Sequence, residues 1–128
     1  MEVVSFIDTS ASPSKDDLIL SFVLRDSRFA GGVRSLVLLR SPKHETVFDD
    51  DERGVTVNME GERNSLHDVR SSLLREFRLD PTGARAEVKT SRKSYELDLH
   101  AVDENELKEM KKLLQKMNFD GRVKLAGI

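Results

Sequence analysis

Ser65-Leu66-His67-Asp68-Val69-Arg70-Ser71-Ser72-Leu73-Leu74-Arg75-Glu76-Phe77 is the stretch whose reading decides the fold, and it runs into Leu79-Asp80-Pro81-Thr82-Gly83. Leu66, Val69, Leu73, Leu74 and Phe77 fall at i, i+3, i+7, i+8 and i+11, one apolar stripe of a helix. Ser65 stands at its cap, with Asp68 three residues on. A rival reading starts from the other end. Asp80-Pro81-Thr82-Gly83 has the chemistry of a type I turn followed by a bulge, which makes Leu73–Leu79 the strand of a hairpin. The stripe extends over three turns, whereas strict alternation sets Arg75 on the buried face. The helix Ser65–Phe77 is therefore the expected element.

Working outward, Ala84, Ala86, Val88 and Thr90 alternate with Arg85, Glu87 and Lys89, and Tyr95, Leu97 and Leu99 alternate with Glu96, Asp98 and His100. This period of two predicts a half-buried hairpin turning at Ser91-Arg92. Asp103 with Glu106 opens a second helix, to about Met117, whose stripe is Leu107, Met110, Leu113, Leu114 and Met117. Asn118 and Gly121 end it, and Arg122–Leu125 returns as a strand. On the N-terminal side, Val55–Met59 pairs with Glu45–Phe48 as a hairpin across the polar run Asp49–Gly54.

From Gly54 to Leu125 the order is then strand, helix, strand, strand, helix, strand. It resembles the ferredoxin-like βαββαβ arrangement, which implies an α+β fold: an antiparallel sheet with two helices on one face. Residues 1–50 add strands to it: Glu2–Asp8 as an edge strand, then Asp17–Arg25 and Val33–Arg40, reversed through Gly31-Gly32. Residues 9–14 read as loop. With no repeat, low-complexity tract or long linker, residues 1–128 are read as a single domain, residues 54–125 forming its βαββαβ-like portion.

Composition narrows function mainly by exclusion. The chain has 128 residues, 38% hydrophobic and 34% charged, with net charge −2 and no cysteine. That is enough apolar content for a core and too even a balance for a disordered polyion. Disulfides, a cysteine nucleophile and cysteine-ligated zinc are excluded. No apolar run approaches the ~18 residues of a membrane span, and no signal-peptide pattern opens the sequence. A cytoplasmic protein is the expectation. Charge is uneven: residues 1–62 hold 7 Lys+Arg and 12 Asp+Glu, residues 63–128 hold 14 and 11.

Asp49, Asp50, Asp51 and Glu52 are the metal candidates, since hard cations take carboxylate oxygens. They lack the alternation of a calcium loop, and a solvated turn is the plainer account. Arg85, Lys89, Arg92, Lys93 and Tyr95 are the nucleic-acid candidates, set on a basic hairpin with one stacking ring. Aromatic residues make up only 5% of the chain, which weakens that reading. His44, His67 and His100 show no metal-pair spacing. No nucleophile motif or phosphate loop is present, so no catalytic residue and no cofactor are expected.

LILSFVL (18–24) and VRSLVLL (33–39) are nearly continuous in apolar residues, as if both faces wanted cover. The expected function is non-catalytic: a protein acting through protein contacts, self-associating as a homo-oligomer, with no membrane partner. The alternatives are a small-ligand-binding regulatory domain and an RNA-binding protein using the basic hairpin.

Overall fold

The structure is a computed structural model that describes residues 1–9, 17–47, 49–60 and 72–128. The described residues form strands β1 (Glu2–Asp8), β2 (Leu18–Arg25), β3 (Val33–Arg40), β4 (Thr56–Met59), β5 (Ser72–Leu79), β6 (Arg85–Thr90), β7 (Ser94–Asp98) and β8 (Lys124–Ala126) and one α-helix, α1 (Glu104–Met117). The sheet order is β4-β3-β2-β1-β7-β6-β5-β8, and β4 also pairs with β5. That last pairing closes β1 to β7 into a barrel. β8 lies parallel to the far half of β5, at Glu76–Arg78.

This architecture replaces the expected ferredoxin-like one. Among the described residues there is one helix and not two, and it does not lie on a sheet face. Residues 72–77 of the expected first helix are strand, while 65–71 lie outside the described residues, as do residues 10–14 of the expected 9–14 loop. The physical reason sits at Arg75. Leu74 pairs with Thr90 and Glu76 with Lys89, so β5 carries one extra residue there. The bulge breaks alternation once. Leu74, Phe77 and Leu79 then all face inward while Arg75 stays exposed. The turn at Asp80 is the one its sequence requires: Asp80 accepts from the Thr82 and Gly83 amides, and Gly83 has φ 74°.

β1 is likewise an interior strand, antiparallel to β2 and parallel to β7, and not an edge. A bulge between Val4 and Phe6 sets Val4 and Ile7 inward, with Val3 and Phe6 outward. The hairpin expected from Glu45–Phe48 keeps only its second arm, as β4. Residues Pro42–Val47 form a 3-10 turn instead, and Phe48 lies outside the described residues. The β2–β3 and β6–β7 hairpins form over the expected residues, with Gly31 at φ 80° and Gly32 at φ 72° in the first turn.

Inside, Leu20, Phe22 and Leu24 of β2 meet Leu36 and Leu38 of β3, Phe77 of β5 and Leu97 of β7. Phe22 and Phe77 stack across the barrel, ring centres 6.0 Å apart. Such a pair adds about 0.5–1.5 kcal/mol beyond its buried area. The helix plugs one mouth. Asp103 caps it by accepting from the amides of Asn105 and Glu106, and Met110, Leu114 and Met117 point into the barrel. Glu106 does not close a capping box. Its Oε1 accepts from the Ile7 amide at 2.8 Å, tying the first turn of α1 to β1.

Candidate functional site

Inward-facing positions of β3 are Arg34, Leu36, Leu38 and Arg40, so the strand delivers one arginine to each barrel mouth. Arg40 stands at the mouth that α1 closes. Its Nε donates to Glu45 Oε1 at 3.0 Å, its Nη1 to the Met117 carbonyl and Asp120 Oδ1 at 2.8 Å each, and its Nη2 to Asp120 Oδ2 at 2.7 Å. Glu45 also accepts from the Gly54 amide, and the Phe119 ring lies 4.1 Å from the guanidinium carbon. Arg40 and Arg122 together hold the Asp120 carboxyl well below the usual carboxylate range. Every donor here ends on the protein itself, so this cluster is a latch for the plug.

At the opposite mouth Arg34 donates to Glu2 and sits 2.9 Å from Asp26 Oδ2, its Nε–H directed away from a hydrogen bond. Asp26 is bound tightly by Arg28, whose hydrogen bonds bring its pKa down to about 2. A cleft of about 500 Å3 opens beside these groups, lined by Glu2, Arg34, Glu87, Lys93, Tyr95 and Glu96 among others. Its carboxylates outnumber its cations, and Arg34 is already committed to two acids. A second cleft of about 310 Å3 lies along Arg78, Leu79, Pro81 and Arg85. Neither gathers the convergent nucleophile, base and oxyanion donors of an active site.

The exterior divides into two unlike faces. Over β5, β6 and β7 it is charged and internally paired: Glu76 with Arg78 at 3.1 Å, Lys89 with Glu76 at 3.4 Å and with Glu87 at 3.6 Å. Over β1, β2 and β3 it is mainly apolar, with Asp8, Ser21, Arg25 and Ser35 among the apolar side chains. Phe6 is 48% exposed, Val33 42% and Val3 37%. Ile19, Val23, Val37 and Leu39 extend this face, each half-buried. The register aligns Phe6 with Val23 and Ser35, and Ser21 with Val37. The core is complete without these side chains, so nothing in the barrel interior requires them.

The candidates of the sequence fall apart in space. Asp50–Glu52 is a 3-10 turn, and Arg122 donates to the carbonyl and carboxylate of Asp50, each at 2.6 Å. Asp49 and Glu52 are exposed. Among the described residues no three His, Asp or Glu side chains gather as metal ligands. Arg85 and Lys89 lie on the charged outer face, interleaved with Glu87 and Glu96. Tyr95 instead pairs with buried Val88 on the inner side, with Lys93 Nζ 5.0 Å from its ring centre. Arg92 is in the turn between β6 and β7. Arg85 and Lys89 thus occupy the opposite face of the hairpin from the Tyr95 ring, while Lys93 lies beside it. His100 Nδ1 lies 2.7 Å from Asp98 Oδ1, an exposed local pair, and His67 lies outside the described residues. What the sequence did not mark is Arg40, whose role depends on partners 5 and 80 residues away. An arginine in phase with the buried leucines of LVLLR was the available signal.

No family of known proteins, no curated sequence and no solved structure matches the chain. No helix among the described residues is long and apolar enough to cross a membrane.

Proposed function

We propose that this is a non-catalytic protein that acts through protein contacts on the outer face of β1 to β3, and that it self-associates there. The observation that carries the reading is Phe6 standing 48% exposed beside Val23 on a barrel whose interior is already filled. A single exposed leucine or valine is ordinary, but a contiguous apolar face flanked by a heavily ion-paired one is a feature of binding surfaces. Three strands at ~4.8 Å spacing and seven residues at ~3.3 Å give a face of roughly 330 Å2, the size of functional patches and small for an interface.

Light scattering at tens of micromolar protein tests this. The expected mass is above the 14.5 kDa of one chain, falling to one chain in Phe6→Asp. A wild-type mass of one chain across the whole concentration range would refute self-association through this face.

A further inference from the structure

We propose that the occupant of the β1 to β3 face is a second copy of this chain, related by a two-fold axis that crosses the strands at the Phe6–Val23 pair. This rests on the self-association proposed above and adds its geometry. The most exposed apolar side chains of the face, Val3, Phe6 and Val33, lie on and to one side of that row. An interface gains most where an aromatic anchor and its neighbours are desolvated at the centre, so the axis belongs here and not near half-buried Ile19 or Leu39.

A two-fold axis in the interface plane and perpendicular to the strands lays each strand antiparallel on its own copy. Phe6 then meets Phe6, and Val23 meets Val23. One row away on either side, Val37 of one copy lies over Val33 of the other. The charges on the same rows complement each other. Asp8 pairs with Ser21 on one side of the axis, and Arg25 pairs with Val33 on the other. The rotation therefore sets each Asp8 across the ~10 Å gap between the sheets from the partner copy's Arg25, displaced sideways by one strand, at both ends of the contact and within reach of the long arginine side chain. Turning the face the other way sets β1 over β3, leaving Phe6 against Ser35. Strand addition at β1, β2 or β3 is not open to a partner, because each already has a strand on both sides.

The absence of cysteine allows a direct test. Sheets packed face to face stand ~10 Å apart, too far for a disulfide but within reach of a short bismaleimide. Val23→Cys, on the axis, is expected to cross-link to itself. Val33→Cys and Val37→Cys cross-link when mixed and poorly alone, and Glu96→Cys on the charged face does not cross-link. Arg25→Glu is expected to weaken the dimer several-fold in light scattering, and adding Asp8→Arg to restore it. A self-associated protein that cross-links more readily at Glu96→Cys, or at Val37→Cys alone, overturns this arrangement and leaves self-association standing. Failure of Asp8→Arg to rescue Arg25→Glu also overturns it. A one-chain mass for the unmodified protein overturns both.

Discussion

Replacing Arg40 with methionine removes the cation that, among the described residues, bridges Glu45 and Asp120 at the plugged mouth. Methionine keeps much of the volume and none of the charge. Asp120 is one-quarter exposed and retains Arg122, so it finds other partners. Glu45 is buried and keeps only the Gly54 amide among the described groups, so it carries most of the penalty. The Met117 carbonyl at the end of α1 also loses its donor. Breaking a buried pair from one side costs about 3–5 kcal/mol. The partial exposure of Asp120 places Arg40→Met at the lower end, about 3 kcal/mol.

Urea denaturation followed by circular dichroism measures this. With a slope of about 1.5 kcal/mol per molar, the midpoint falls by roughly 2 M. Asp120→Asn, which leaves Arg40 with Glu45, is expected to cost about 1–2 kcal/mol. The double variant should cost less than the sum, because the two changes share one interaction. Lys112→Ala, which removes an exposed pair with Glu109, should shift stability by less than ~0.5 kcal/mol and serves as the control. A loss below ~1 kcal/mol in Arg40→Met, or strict additivity with Asp120→Asn, would refute the latch.

Asp120, Asp26 and Glu76 all have pKa values lowered by bound cations, Asp120 by Arg40 first, Asp26 by Arg28 and Glu76 by Arg78. A carboxyl depressed in the folded state contributes stability that is complete above its unfolded pKa of ~4 and lost as pH falls through the folded value. The urea midpoint should therefore be level above about pH 5 and fall steadily from pH 4 towards 2; a midpoint that rose on acidification would contradict these pairs. Gly127→Ala should free β8 from β5, since Gly127 has φ 77° and an added Cβ would lie 2.1 Å from the Leu79 carbonyl oxygen. A loss of at least ~1 kcal/mol, with faster amide exchange at Leu125, is expected, whereas an unaltered exchange pattern would show the backbone is looser there than the geometry implies. Leu114→Ala should cost about 2–5 kcal/mol and Leu113→Ala less, because Leu114 is buried in the barrel and Leu113 only half-buried; equal costs would misplace the inward stripe of the helix.

How far the sequence carried the fold is clearest at three places. The hairpin Arg85–Asp98 and the helix Glu104–Met117 were legible to within a residue or two, because period-two alternation and a capped 3.6-residue stripe are local signals. Leu73–Leu79 failed because a single bulge at Arg75 shifts the phase, so a bulged strand carries the same apolar spacing as a helix. The turn residues at Asp80-Pro81-Thr82-Gly83 were the better witness, since they demand a hairpin whichever phase the strand adopts. Closure was not legible at all. It rests on the short β4–β5 pairing at Thr56–Leu73 and Val57–Ser72, which no local pattern announces. The apolar excess of β2 and β3 was visible as composition. Which residues face out became readable only with the β1 bulge, which turns Phe6 towards Val23.

Barrel closure also changes what that apolar excess means. In an open sheet, runs such as LILSFVL and VRSLVLL would be answered by helices on both faces, or by pairing at an edge. Here the inward half of each run fills the barrel, and the single helix is spent on one mouth. The outward half is left on a convex wall with a strand on either side, so only a surface applied face-on can cover it. The charge asymmetry of the chain does not follow this division: strands β1 to β4 carry Glu2 and Asp8 against Arg25, Arg34 and Arg40, and the acidic excess of the first 62 residues falls in the segments between strands. A head-to-tail contact of the apolar wall on the ion-paired wall would set apolar side chains against charged ones and would not close. The apolar face and the opposed Asp8 and Arg25 rows favour the closed pair. Apolar burial persists at about 1 M salt, where the screening length is only ~3 Å, whereas a contact made by charged groups alone would not.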